Sequence, residues 1–193
     1  LVSSSAASDV YKRQMQILAD AGNTSTKWQL RSGGDVVAGG QGDLRALRDW
    51  VAALDDSKQY AVAVSCVKDD TYAHEIGHAF ESLSSAMLHF VKSSATFAGV
   101  RNAYDEPQRL GVDRWLALLA IKARGESSAV IIDVGTACTI DVLENGQHLG
   151  GYIFPGMALA RDALVANTDK IRFSGDPEPS TSLGTDTAGC VLS

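Results

Sequence analysis

Two stretches carry side chains whose types and spacing could do chemistry. Val130 to Val142 reads V-I-I-D-V-G-T-A-C-T-I-D-V, with Asp133 closing a Val/Ile run and Gly135-Thr136 just after it. Ile17 to Lys27 reads I-L-A-D-A-G-N-T-S-T-K, with Asp20 in the matching place. A Val/Ile run bounded by glycine reads as a buried strand entering a hairpin, and the glycine lets the backbone approach an anion and aim N–H groups at it. Around phosphate oxygens, Gly22 would permit close approach, Asn23 and Thr24 would donate hydrogen bonds and Lys27 would add charge. Asp20 would hold Mg²⁺ directly or through water. The repetition predicts an internal duplication, with Asp20 and Asp133 facing each other across a cleft that takes a phosphate and a cation.

A third stretch, Asn102 to Arg114, reads N-A-Y-D-E-P-Q-R-L-G-V-D-R and feeds a helix. Gly111-Val112-Asp113-Arg114 sets a carboxylate beside a guanidinium. An acid there can take a proton from a hydroxyl, and an arginine can grip a substrate carboxylate with two hydrogen bonds. The plainer reading is a solvated first turn whose charges complement the helix dipole. His74-Glu75-Ile76-Gly77-His78 matches the zinc motif H-E-x-x-H. It lacks the H-x-x-G-x-x-H continuation and an obvious third ligand, and Gly77 weakens the helix that would hold the ligands, so we read a solvated helix face. Trp28, Trp50 and Trp115 sit in amphipathic runs and read as core or interface residues.

The elements that must position these residues come in two similar series. Strands at Gln16–Ala19, Lys27–Arg31 and Asp35–Ala38 precede a helix from Asp43, its N-cap, to Leu54. A strand at Tyr60–Val67, a helix at Thr71–Met87 and a strand at Leu88–Val91 complete the first series. The helix Leu110–Arg124, capped by Gly125, leads into the second: strands Ala129–Asp133, Ala137–Leu143 and His148–Phe154, with a hairpin turn at Asn145-Gly146. Pro155-Gly156 ends the last strand, and a helix follows at Met157–Ala166. Hairpins at the front and helix-flanked strands behind predict an α/β protein with mixed sheets. The second series continues only as a Pro/Ser/Thr-rich loop, Asp176–Thr187, so equivalence of the halves predicts that about fifty or more residues of the second are missing. The expected organisation is a foreign leader at residues 1–14 ahead of Met15, a first domain over 15–109 and an incomplete second domain over 110–193.

Composition bounds the function. The chain has 193 residues, 45% hydrophobic and 21% charged, which excludes disordered and collagen-like classes. A formal net charge of −6 offers no basic footprint, so neither nucleic acid nor an anionic membrane is an expected partner. Cys66, Cys138 and Cys190 show no C-x-x-C spacing and read as reduced thiols in a cytoplasmic protein.

The motifs resemble the type III pantothenate kinases. D-A-G-N-T-S-T-K is similar to the family's first phosphate motif, Y-D-E-P-Q-R-L-G-V-D-R to its substrate and catalytic motif, I-D-V-G-T-A to its second phosphate motif, and G-G-Y-I-F-P-G to the strand-to-helix junction beyond. The resemblance covers Met15 to Ser193. It implies duplicated ribonuclease H-like domains of the actin and sugar-kinase type, with mixed sheets flanked by helices, acting as a homodimer. The implied activity is ATP-dependent phosphorylation of pantothenate, the first step of coenzyme A synthesis, with Mg²⁺ and K⁺ or NH₄⁺. Asp20, Gly22, Asn23, Thr24 and Lys27, with Gly135 and Thr136, would bind ATP, and Asp133 the monovalent cation. Tyr104, Gly111, Val112, Asp113 and Arg114 would line the pantothenate pocket with Asp113 as general base, and Thr187, in Leu183-Gly184-Thr185-Asp186-Thr187, would reach the same substrate. The contrasting expectation is a non-catalytic nucleotide-binding accessory protein of the same fold; intact Asp20, Asp113 and Asp133 favour the enzyme.

Overall fold

The computed structural model describes residues 15–172 and 181–192. The leader at 1–14 and residues 176–180 of the Pro/Ser/Thr-rich loop lie outside the described residues. Two five-stranded sheets form, in the orders β3-β2-β1-β4-β5 and β6-β7-β10-β9-β8.

The first sheet begins as an antiparallel meander: β1 (Met15–Ala21), β2 (Thr26–Ser32) and β3 (Asp35–Gly42). α1 (Leu44–Ala52) then returns the chain to the sheet, and the Asp43 carboxylate caps it by accepting from the Ala46 N–H at 2.9 Å. β4 (Tyr60–Cys66) pairs in parallel with β1, and β5 (Ala86–Phe90) in parallel with β4, the crossover between them being α2 (Asp70–Phe80). Alternation along β1, β2 and β4 sends Ile17, Ala19, Trp28, Leu30, Val62 and Val64 to one face. There they bury against Leu47 and Val51 of α1 and Ile76 and Phe80 of α2. The opposite face, with Leu18, Asp20, Lys27 and Ser65, is left for the cleft.

The second series repeats the meander as β8 (Ala129–Val134), β9 (Ala137–Glu144) and β10 (Gln147–Pro155). Its hairpin turns as expected, with Asn145 and Gly146 both at positive φ (50° and 78°). α3 (Val112–Ala123) contacts β4 of the first sheet and β7, β8 and β9 of the second, so one helix spans both halves. Its Trp115 and Leu118 join Val100, Leu110 and Leu143 in the second core. Gly125, at φ 91°, follows its end as expected. α4 (Met157–Asn167) leaves β10 through Gly156.

Several expectations need correction. The helix expected over Thr71–Met87 ends at Phe80: the Ser84 N–H and hydroxyl donate to the Asp56 carboxylate, and Ala86 and Met87 already belong to β5. The hairpin β6 (Thr96–Phe97) and β7 (Val100–Arg101) carried no recognisable strand pattern, and it joins the second sheet, where β7 pairs with β10. Thr187, expected to close a loop, opens the short helix α5 (Thr187–Leu192). The strand bearing Asp133 is not buried on both faces. β8 is the edge of its sheet among the described residues, whereas its counterpart β1 lies between β2 and β4. Val130, Ile132 and Val134 are accordingly 61–69% exposed.

Candidate active site

The two carboxylate–glycine turns meet. In the first, the Gly22 N–H donates to the Ser25 carbonyl at 3.1 Å, closing the β1–β2 turn with Asn23 and Thr24 exposed at its tip. In the second, the Gly135 N–H donates to the Ala137 carbonyl at 3.0 Å, closing the β8–β9 turn with Thr136 exposed. The Thr24 and Thr136 hydroxyls lie 2.9 Å apart, so the tips of the turns touch. The first turn is anchored from below. Thr26, fully buried, shares a 2.8 Å hydrogen bond with the Tyr72 hydroxyl of α2.

Asp20 lies at the end of β1 with Lys27 opposite it on β2 and Ser65 beside it on β4. The Ser65 hydroxyl donates to Asp20 Oδ1 at 2.8 Å, which fixes the carboxylate and leaves Oδ2 for a cation or its water shell. These three residues line a cavity of about 490 Å³ whose far wall includes Leu116 of α3. Asp133 is exposed, on the face of β8 that also carries Ile131, which packs on the second core. Among the described residues no three His, Cys, Asp or Glu side chains converge on one point. Any cation in the cleft would therefore be held by one or two carboxylates together with phosphate oxygens and water, a donor set that suits Mg²⁺ and K⁺ and not a soft metal.

Asp113 is exposed in the first turn of α3, where its Oδ1 accepts from the Arg114 N–H at 2.8 Å. Gly111 caps the helix, and a side chain there would meet the Asp113 carboxylate at 2.6 Å. Arg114 behaves otherwise than expected. Its guanidinium is buried and makes a two-pronged pair with Asp141 of β9, Nε to Oδ2 at 2.8 Å and Nη2 to Oδ1 at 2.7 Å. The fork expected for a substrate carboxylate is thus filled from within the chain, and Arg114 Nη1 donates to the Tyr104 hydroxyl at 3.0 Å. Asp141 Oδ1 also accepts from Nε2 of His148, a fully buried ring that stacks on Tyr104 with centroids 6.3 Å apart.

Burial pushes the Asp141 carboxyl up, but the hydrogen bonds from His148 and Arg114 together outweigh it and hold the group below the ordinary carboxylate range. The Asp141 hydrogen bond raises Arg114 in turn. Tyr104, Gly111, Val112, Asp113 and Arg114 are thereby gathered at one end of α3. Thr187 is exposed on α5, which packs against α4.

Four contributors to this geometry were not assigned to the site from the sequence. Asp141 was visible as the second acid of the Val130–Val142 run. Ser65 and His148 carried no signal, because each looks like an ordinary polar residue of an alternating strand. Gly156 was read as a strand breaker and as the end of the G-G-Y-I-F-P-G junction, without a role in the site. Its N–H donates to the Thr136 carbonyl at 3.0 Å, and a Cβ there would collide with the carbonyl oxygens of Gly135 and Thr136.

Paired meanders, facing carboxylate–glycine turns and a bridging helix define a duplicated ribonuclease H-like α/β protein of the actin and sugar-kinase type. A solved Campylobacter jejuni protein described as a conserved Baf family transcriptional activator shares the fold, with a TM-score of 0.56 at 18% identity over 91% of this chain and 71% of that one. Within that class the chain belongs to the type III pantothenate kinase family, whose family model matches residues 16–193. The type III pantothenate kinase of Marinomonas sp. is 36% identical over 184 residues, 90% of this chain and 72% of the relative. That of Pseudomonas paraeruginosa is 37% identical over 169 residues, 86% and 68% respectively.

Proposed function

We propose that the chain transfers the γ-phosphoryl group of ATP to the primary hydroxyl of pantothenate, the first step of coenzyme A synthesis. Membership of the family supports the reaction, and the 2.9 Å approach of Thr24 to Thr136 is the observation that carries it. A polyphosphate laid on one turn is within reach of the other. Gly22, Asn23 and Thr24 on one side and Gly135 and Thr136 on the other would hold its oxygens with backbone N–H groups and hydroxyls, and Lys27 would add positive charge. Asp20 would hold Mg²⁺ and Asp133 a monovalent cation, K⁺ or NH₄⁺. When bound, these ions neutralise charge on the phosphate oxygens.

Tyr104, Gly111, Val112 and Arg114 would form the pantothenate pocket, with Thr187 brought to it as an additional contact. Arg114, already paired with Asp141, serves this pocket by holding the Tyr104 hydroxyl and the start of α3, not by gripping a free carboxylate. Asp113 accepts the proton of the attacking hydroxyl as its oxygen bonds to the γ-phosphorus and the bond to the β-phosphate oxygen breaks, releasing ADP. The protein acts as a homodimer in this reading. No helix among the described residues is long and apolar enough to cross a membrane.

The test is formation of 4′-phosphopantothenate from ATP and pantothenate in the presence of Mg²⁺ and K⁺. Nucleotide binding without product would overturn the reading in favour of a non-catalytic nucleotide-binding protein of the same fold.

A further inference from the structure

The H-E-x-x-H stretch on α2 gathers no third His, Cys, Asp or Glu side chain among the described residues, and its two histidines are arranged differently from a hydrolytic zinc centre. Glu75, the would-be base, is drawn toward α1, where Arg48 approaches it at 3.5 Å. His74 and His78, one helical turn apart, project instead over a shallow groove of about 410 Å³ floored by Ala73, Gly77, Leu88 and Phe90. Their rings meet edge to face with centroids 4.3 Å apart, and the two Nε2 atoms are 2.9 Å apart.

The protons on these rings can be placed. Glu81 Oε1 lies 2.8 Å from His78 Nδ1, and a carboxylate only accepts, so Nδ1 carries the hydrogen. Neutral His78 therefore presents a lone pair at Nε2, aimed at His74 Nε2. This is the arrangement in which a carboxylate orients a metal-binding imidazole from behind. Placing a cation between the rings needs His74 to carry its own hydrogen on Nδ1, by exchange with solvent, and both rings to turn so that their Nε2 lone pairs converge on a point beside the line joining them; both rings then stay neutral.

We propose that His74 and His78 form a two-imidazole site for a divalent transition metal ion, with Glu81 as the orienting carboxylate. With metal–nitrogen bonds of about 2.0–2.1 Å, nitrogens 2.9 Å apart subtend an angle of about 90° at the ion. A tetrahedral Zn²⁺ would need them about 3.3 Å apart. The separation matches the cis positions of tetragonal Ni²⁺ or Cu²⁺, and water completes the shell because no third protein ligand converges there among the described residues. The site belongs to the outer face of α2 and shares no residue with the phosphate turns.

The test is titration of tag-free, chelator-treated protein with NiCl₂, followed by calorimetry. Ni²⁺ avoids the oxidation of Cys66 and Cys190 that Cu²⁺ would bring. One equivalent of Ni²⁺ is expected to bind, more tightly than Zn²⁺. His74→Ala and His78→Ala should each weaken binding at least tenfold, and Glu81→Gln should weaken it by a smaller factor. His74 and His78 are solvent-facing on α2 and Glu81 is solvent-facing at its C-cap, so circular dichroism should show unchanged folding. Unchanged Ni²⁺ affinity in His74→Ala, or Zn²⁺ binding tighter than Ni²⁺, would overturn the site.

Discussion

The hydroxyl of Thr24 lies 2.9 Å from that of Thr136, joining the tips of two hairpin turns 112 residues apart in sequence. Each turn alone is a loop that Asp, Gly and Asn would favour for purely conformational reasons. Brought tip to tip, they are placed to act as the two sides of the proposed phosphate clamp. Replacing either threonine by valine removes a hydroxyl from this contact while keeping the shape. Thr24→Val and Thr136→Val should each raise KM for ATP about 2- to 10-fold, the net worth of one hydrogen bond. The double variant should fall short of the product of the two, which steady-state kinetics at saturating pantothenate would show.

Gly156 supports that clamp without facing it. Its amide holds the Thr136 carbonyl, and a methyl group at this position would strike both turn carbonyls. Gly156→Ala should push the β8–β9 turn away from Thr24. Weaker ATP binding by tenfold or more, with circular dichroism unchanged, is the expected outcome of a nucleotide titration.

Asp141 links Arg114, Tyr104 and His148 beneath the N-terminus of α3. Removing one partner of a buried ion pair strands the other, at a cost of about 3–5 kcal/mol. Asp141→Leu should therefore lower the urea midpoint sharply. Pairing it with Arg114→Met should recover part of the loss, and an undiminished loss in the double variant would show that the charges are not coupled.

The same carboxylate makes a pH prediction. Its folded-state pKa is depressed, so its contribution is fully present above the unfolded value of about 3.9 and is lost as pH falls through the lower folded value. Urea midpoints measured between pH 6 and pH 2.5 should decline toward the acid end. Asp141→Asn should flatten that decline while lowering the plateau.

Much of this was legible in the sequence, for identifiable reasons. The meanders announced themselves by apolar runs broken at Gly22, Gly135 and Asn145-Gly146, and α1 by an aspartate cap. The end of α2 was not legible, because the run from Glu81 to Met87 keeps helix-compatible residues while the bonds of Ser84 to Asp56 decide the turn. The β6–β7 hairpin is two residues per strand and too short to show alternation. In the site, residue types exposed the candidates, but pairing did not follow from type. Arg114 reads as a substrate ligand until Asp141, 27 residues on, is seen to fill its fork. The exposure of β8 is likewise a matter of sheet order, which no local pattern encodes.

The central claim is that Asp113 takes the proton while the two turns hold the nucleotide. Asp113→Asn keeps the size of the side chain and an oxygen for the Arg114 amide but removes the base. Phosphorylation of pantothenate by this variant, measured beside ATP binding, tests the claim most directly. The account predicts a fall in kcat of about 10²- to 10⁴-fold with ATP affinity unchanged within twofold. Retained turnover, or an equal loss of ATP binding, would contradict it.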